Sequence, residues 1–171
     1  MRTALVALLA LLALAPAARA DDAGVFDAYV AGQPPVDKAG TAYRNAFRRY
    51  RRSESARDLR AIIRADRRLN RALAKIVPAV RGEEASSRAG ERARNAALTE
   101  MRVWIAANRL QIGSLRAALA GRTGRSDRLF RRASRTFEGV IPAGKRAVRG
   151  FKAAGFTSPE GPVSDLRFNR S

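Results

Sequence analysis

ALTEMRVWIAANRLQIGSLRAAL, residues Ala97 to Leu119, is the stretch that decides the fold. At ~100° per residue its apolar side chains fall on one narrow stripe of a helix, whereas its arginines lie at the edge of that stripe or outside it. The stripe consists of Ala97, Met101, Trp104, Ile105, Ile112, Leu115 and Leu119, with Asn108 at its centre. A helix with one such stripe packs it into a core, so the sequence predicts an all-α protein built around this segment.

Two apolar stripes at helical spacing precede this segment. The first follows Asp37, a candidate N-cap residue, and the second runs from Leu59 to Val77. On one continuous helix their centres would lie ~130° apart, which indicates either a break between them or one long helix that changes the neighbour on which it packs. We place the break near residues 53–55, with Ser55 as the N-cap of the second helix.

Two helices are predicted in the second half of the chain. The central helix is expected to begin at Glu83 or Glu84 and to stop at Gly121. The last helix is expected to begin at residues 126–127, and its stripe continues in phase beyond Pro142, which predicts a kink there. Residues 37–77 and residues 83–119 would form helical segments of similar length. This match predicts an elongated up-down bundle of three long helices, the first broken near residues 53–55, or a four-helix bundle if the break is a full turn.

The two ends of the chain have different compositions from the middle. Residues 1–20 combine an early arginine, an apolar run of ~12 residues and a small-residue cleavage site, the order found in secretory signal peptides. The run is too short to span a bilayer, so we expect cleavage, export, and a soluble secreted, periplasmic or cell-envelope protein. Residues 21–36 are expected to form a flexible N-terminal arm, residues 37–155 the bundle domain, and residues 156–171 an irregular C-terminal tail.

The composition is strongly basic and limits the possible chemistry. The chain has 34 Lys and Arg against 15 Asp and Glu, a net charge of +19, and neither histidine nor cysteine. It therefore lacks the commonest general base, thiol nucleophiles and most transition-metal ligands. We expect a protein that is not an enzyme and that binds no metal and no cofactor.

Arginine clusters are the candidate binding sites, because the planar guanidinium binds phosphate and carboxylate groups through two hydrogen bonds. The predicted polyanion-binding residues are Arg48, Arg49, Arg51, Arg52, Arg67, Arg68, Arg131 and Arg132. They favour an anionic polymer or membrane surface as partner: lipid headgroups, cell-envelope polymers or extracellular nucleic acid. The alternative is a cell-envelope module, chaperone-like or otherwise bound to a protein partner, whose charge serves solubility. The oligomeric state is left open.

Polar residues interrupt two of the apolar stripes. Asp66, with Asn70 beside it, lies in the stripe of the second helix, and Asn108 lies in the stripe of the central helix. Since a buried carboxylate needs partners, Asp66 and Asn70 are predicted to contact Asn108 or the stem of an arginine and to fix the register of the helices. The alternative is that Asp66 lies in a thin or open part of the bundle.

Overall fold

The computed structural model describes residues 22–156, and every regular element within that range is a helix. The helices are α1 (residues 22–31), α2 (Gln33–Ser53), α3 (Ala56–Gly82), α4 (Arg88–Leu119), α5 (Thr123–Phe137) and α6 (Val140–Ala153). Gly32 separates α1 from α2, and residues 138–139 separate α5 from α6. The backbone at these junctions stays in the right-handed helical region, so each pair forms one kinked rod. None of the described helices is long and apolar enough to cross a membrane.

The helix α4 lies at the centre of the bundle. It packs against α3, α5 and α6, while α2 packs on α3. A Cβ atom at Gly139 would lie 3.5 Å from Val103, and one at Gly113 would lie 3.4 Å from Leu129, so the α5–α6 rod runs antiparallel to α4. The rods α1–α2, α3, α4 and α5–α6 form an up-down four-helix bundle, and of the two predicted arrangements this is the one observed.

The predicted break between the first two stripes is confirmed as a full reversal of the chain. Glu54 has a left-handed backbone (φ 47°), and α2 and α3 pack side by side. The Ser55 hydroxyl caps α3 by accepting a hydrogen bond from the Asp58 backbone N–H at 3.2 Å. The Asp58 carboxylate in turn accepts a hydrogen bond of 2.6 Å from the Ser53 hydroxyl. The polar residues of the break therefore satisfy one of the free donors at the start of α3, the Asp58 N–H, and hold the Asp58 side chain in place.

The predicted end of the central helix is also confirmed. Gly121 follows α4 with a left-handed backbone (φ 69°). Its N–H donates to the Ala118 carbonyl at 2.9 Å, and the Arg122 N–H donates to the Ala117 carbonyl at 2.8 Å. This is a Schellman motif, which glycine favours because it has no Cβ atom.

Three predicted helix starts were wrong by several residues. α2 begins at Gln33, ahead of Asp37, because the prolines that follow Gln33 lie in its first turn, where an N–H is not required. α4 begins at Arg88, after an irregular segment that follows Glu84. α5 begins at Thr123, ahead of the expected residues 126–127.

The predicted kink at Pro142 lies a few residues earlier than expected. The helical hydrogen bonding is interrupted at residues 138–139, and Pro142 occupies the first turn of α6 with its side chain exposed. The stripe nevertheless continues in phase, because both residues of the interruption keep a helical backbone.

The expectation of a flexible N-terminal arm was wrong for residues 22–36, which are helical. Asp22 is buried and accepts hydrogen bonds from the backbone N–H and the hydroxyl of Ser87, at the start of α4. The Phe26 ring lies 5.4 Å from that of Phe151 in α6. These contacts join residues far apart in sequence, so helical periodicity alone does not reveal them. The predicted signal peptide and residues 157–171 of the predicted tail lie outside the described residues.

Candidate functional site

All eight predicted polyanion-binding arginines are exposed. Four of them lie on α2 and two on α3, and these two helices pack against each other as a hairpin. The remaining two, Arg131 and Arg132, lie on α5, which packs against α4. The structure therefore brings together the predicted clusters of α2 and α3 and places the α5 cluster on a different rod.

The outer face of α3 carries a row of basic side chains, of which only Arg67 was predicted from the sequence. The row consists of Arg60, Arg64, Arg67, Arg71 and Lys75, all of them exposed. Their spacing of three or four residues places them along one side of the helix over about 22 Å. The two acids of α3 are not part of this row. Asp58 accepts a hydrogen bond from Ser53 at the start of the helix, and Asp66 is buried. The row could have been predicted from the sequence as a basic helix face, but the prediction considered only arginines that lie close together in sequence.

The α2–α3 hairpin has a high density of positive charge. Residues 44–75 contain twelve Lys and Arg against three acids, Glu54, Asp58 and Asp66. Among residues 22–156 there is one ion pair, in which Arg49 Nε lies 3.6 Å from Asp58 Oδ1. Residues 88–153 contain sixteen Lys and Arg against four acids, but over twice the length of chain. The outer faces of α4, α5 and α6 are thus also basic, and α5 alone has five arginines against one acid in 15 residues.

The structure brings two of the three predicted core polar residues into contact. The Asn108 side-chain amide donates a hydrogen bond of 3.0 Å to the Asn70 side-chain oxygen, which joins α4 to α3. Asp66 is 1% exposed, and its Oδ2 atom has no hydrogen-bond partner. Within the part of the chain that the structure describes, no arginine forms an ion pair with it. Burial raises the pKa of Asp66 to about 8.

Asp66 lies at a small cavity between α2, α3, α4 and α5. Tyr43, Trp104, Gln111 and Phe137 are among the residues that line it with Asp66. The Gln111 amide donates a hydrogen bond of 2.8 Å to the Tyr43 hydroxyl across the bundle. The cavity has room for about one water molecule. Asp66 is therefore buried without the predicted contact to Asn108 or an arginine, and its 1% exposure does not fit an open part of the bundle either.

Glu100 is a second buried carboxyl group, which the sequence analysis missed. It is 2% exposed and accepts a hydrogen bond of 3.1 Å from the Tyr29 hydroxyl. Burial raises the pKa of Glu100 to about 7, against a lowering effect of this hydrogen bond. Glu100 lies beside the apolar stripe, about 60° from Ala97, and is buried because α4 contacts helices on several sides. A prediction that allowed α4 a buried sector wider than one stripe would have placed Glu100 in the core.

The fold and the surface together define a class: an all-α bundle with a basic exterior and buried carboxyl groups in its core. Groups of three or more side chains able to hold a metal ion are absent from residues 22–156. In comparisons with known proteins, no family model, curated protein or solved structure matches this chain.

Proposed function

We propose that this protein binds anionic surfaces or polymers through the arginines of the α2–α3 hairpin and catalyses no reaction. The row of five exposed basic side chains on α3 carries the proposal. The four arginines near the end of α2 add positive charge to the same hairpin, where a single ion pair neutralises one of them. We also propose that the protein acts outside the cytoplasmic membrane, because residues 1–20 have the order of regions of a signal peptide.

The row suits a repetitive anionic ligand for two physical reasons. A guanidinium group forms two parallel hydrogen bonds with a phosphate, sulfate or carboxylate group. The row repeats such cationic groups over about 22 Å, so it can contact several anionic groups of one ligand. Binding that releases counterions weakens steeply with salt. For five contacts to a flexible polyanion, raising the salt concentration about fourfold is expected to weaken binding about a hundredfold.

Retention on immobilised heparin and on anionic vesicles, at low and moderate salt, tests the proposal. The full chain is expected to bind at low salt and to elute as the salt concentration rises. A variant with alanine at four positions of the row, Arg60, Arg64, Arg67 and Arg71, is expected to elute at clearly lower salt. Absence of retention at low salt would remove the proposal.

A matched control separates a binding site from net charge. Alanine at four exposed arginines of α4 removes the same charge from another part of the bundle: Arg92, Arg102, Arg109 and Arg116. The row variant is expected to lose more retention than this control. Equal losses would support the alternative, a protein-interaction module in which a basic exterior serves solubility. The basic outer faces of α4, α5 and α6 are the observation that favours this alternative.

A further inference from the structure

Three large apolar side chains are exposed on the described part of the chain. Phe47 of α2 is 42% exposed, Phe130 of α5 is 59% exposed, and Ile141 of α6 is 56% exposed. Phe130 and Ile141 lie on the same stripe of the last rod as Phe137, yet they are exposed whereas Phe137 is partly buried. Single exposed apolar residues are common on proteins, so their meaning depends on whether these three share a face.

Phe47 and Phe130 lie at the same height of the bundle. Tyr43 is level with Gln111 of α4, because the two side chains are hydrogen-bonded, and Phe47 follows one helical turn later. A Cβ atom at Gly113 of α4 would contact Leu129, so its neighbour Phe130 is level with the same part of α4. α2 runs parallel to α4, since the bonds Tyr29 to Glu100 and Tyr43 to Gln111 advance along both together.

The two phenylalanines also lie on the same side of the bundle. Tyr43 and Phe137 line one cavity, so α2 and α5 face each other there. The Phe47 ring stacks on that of Tyr43 at 6.1 Å, and Phe130 precedes Phe137 by seven residues, two turns along the same stripe. Ile141 follows Phe137 on that stripe. The helices α2 and α5 are not among the pairs that pack closely within the described range, which leaves this face open.

Arginines lie beside this face, which we call the α2–α5 face and define by Phe47, Phe130 and Ile141. Arg51 follows Phe47 by one turn, whereas Arg48 and Arg131 directly follow the two phenylalanines and lie about 100° around their helices; all three are exposed. The acids Asp127 and Glu138 lie one turn before Phe130 and Ile141, so the positive charge of this face comes mainly from α2 and from Arg131. An apolar centre beside cationic side chains is the pattern of proteins that lie on an anionic membrane surface. A second copy of the chain would place arginine against arginine, so charge opposes self-association through this face.

We propose that the α2–α5 face binds the surface of an anionic lipid membrane, an inference that rests on the proposed function and names its ligand class. Phe47, Phe130 and Ile141 enter the headgroup region, and the neighbouring arginines contact lipid phosphates. The apolar positions Phe130 and Ile141 lie about 16 Å apart along the α5–α6 rod. A fluid lipid surface accommodates such spacing, whereas a protein partner needs a continuous complementary patch of about 800 Å².

Vesicle binding of a Phe47→Ala/Phe130→Ala double variant tests the proposal. The full chain is mixed with vesicles of phosphatidylcholine, with or without phosphatidylglycerol, and the bound fraction is measured by sedimentation. The double variant is expected to bind the anionic vesicles at least about tenfold more weakly than wild type, since each ring loses apolar burial. Its retention on heparin is expected to be unchanged, because heparin offers charge without an apolar interior.

A conservative variant provides the matched control. Phe47→Trp/Phe130→Trp is expected to bind anionic vesicles at least as well as wild type, and brominated lipids are expected to quench its fluorescence. Wild type supplies the baseline, because its one tryptophan, Trp104, is buried and brominated lipids are not expected to quench it. Circular dichroism of both variants establishes that the helices are retained.

The outcomes separate the two proposals. If the alanine double variant binds anionic vesicles as wild type does, the lipid-binding face is refuted while the arginine proposal stands. If heparin retention falls as much as vesicle binding, the face binds an acidic polymer or protein and the lipid assignment is wrong. If wild type binds neither heparin nor anionic vesicles, both proposals fail.

Discussion

The Asp66→Asn variant is expected to remove about half of the pH dependence of folding stability below neutral pH. Burial raises the pKa of Asp66 to about 8 and that of Glu100 to about 7. In the unfolded chain both carboxyl groups lose their protons near pH 4. The folded state therefore retains two protons that the unfolded state has released, and the free energy of unfolding falls as the pH rises.

The size of the effect follows from the number of retained protons. Each one lowers the free energy of unfolding by at most about 1.4 kcal/mol per pH unit, so wild type loses up to about 2.8 kcal/mol per unit between about pH 5 and 6.5. Above about pH 7 the proton on Asp66 is the main one retained, and the slope falls to about 1.4 kcal/mol per unit until about pH 8. The chain has no histidine or cysteine, so no other type of side chain ordinarily titrates in this range.

Urea unfolding followed by Trp104 fluorescence at a series of pH values measures these slopes. Asp66→Asn is expected to show about 1.4 kcal/mol per unit below about pH 6.5 and a profile that becomes flat by about pH 8, once Glu100 has released its proton. Glu100→Gln serves as the matched control, because it should halve the slope in the lower range and leave the loss towards pH 8 intact. The reasoning is refuted if wild-type stability is constant or rises over this range, or if Asp66→Asn keeps the wild-type slope.

Three other substitutions test the packing by denaturant unfolding. Gly150→Ala is expected to lower the free energy of unfolding by about 1–3 kcal/mol, because a Cβ atom would lie 2.7 Å from the Ala93 backbone. Gly82→Ala is the control, since Gly82 has open space around it and this substitution should not destabilise the fold. Equal effects of the two substitutions would contradict the close contact of α6 with α4. A double-mutant cycle of Asn70→Ala and Asn108→Ala is expected to give a coupling of about 1 kcal/mol, and zero coupling would show that their hydrogen bond does not stabilise the fold. Asp22→Ala is expected to cost about 1–2 kcal/mol, and an unchanged midpoint would mean that its hydrogen bonds to Ser87 do not stabilise the start of α4.

The helices of this fold could be predicted because each long element has one buried stripe and recognisable ends. Ser55 and Gly121 act as the sequence suggests, since capping depends on residues a few positions apart. Gln33 marks a start that was missed, because proline was interpreted as a helix breaker when it also suits a first turn. Local signals thus located the elements better than their N-terminal boundaries.

The candidate surface was predictable in part, and the buried carboxyl groups less so. Exposure of the predicted arginines follows from their position opposite the apolar stripes. The pairing of Asn70 with Asn108 was anticipated, because both lie on buried stripes. The burial of Glu100 and the open face beside Phe47 depend on which helices meet, and periodicity within one helix carries no information about that.

The helix α1 has a consequence for the order of folding. Most close packing joins rods that are neighbours in sequence: α2 with α3, α3 with α4, and α4 with the α5–α6 rod. In contrast, α1 binds residues far along the chain, since Tyr29 and its partner Glu100 are 71 residues apart. Loop closure over such distances favours late docking, after the partners of α1 have formed. The amides of α1 are therefore expected to exchange with solvent through local detachment, at a lower free energy than the global unfolding that releases α4.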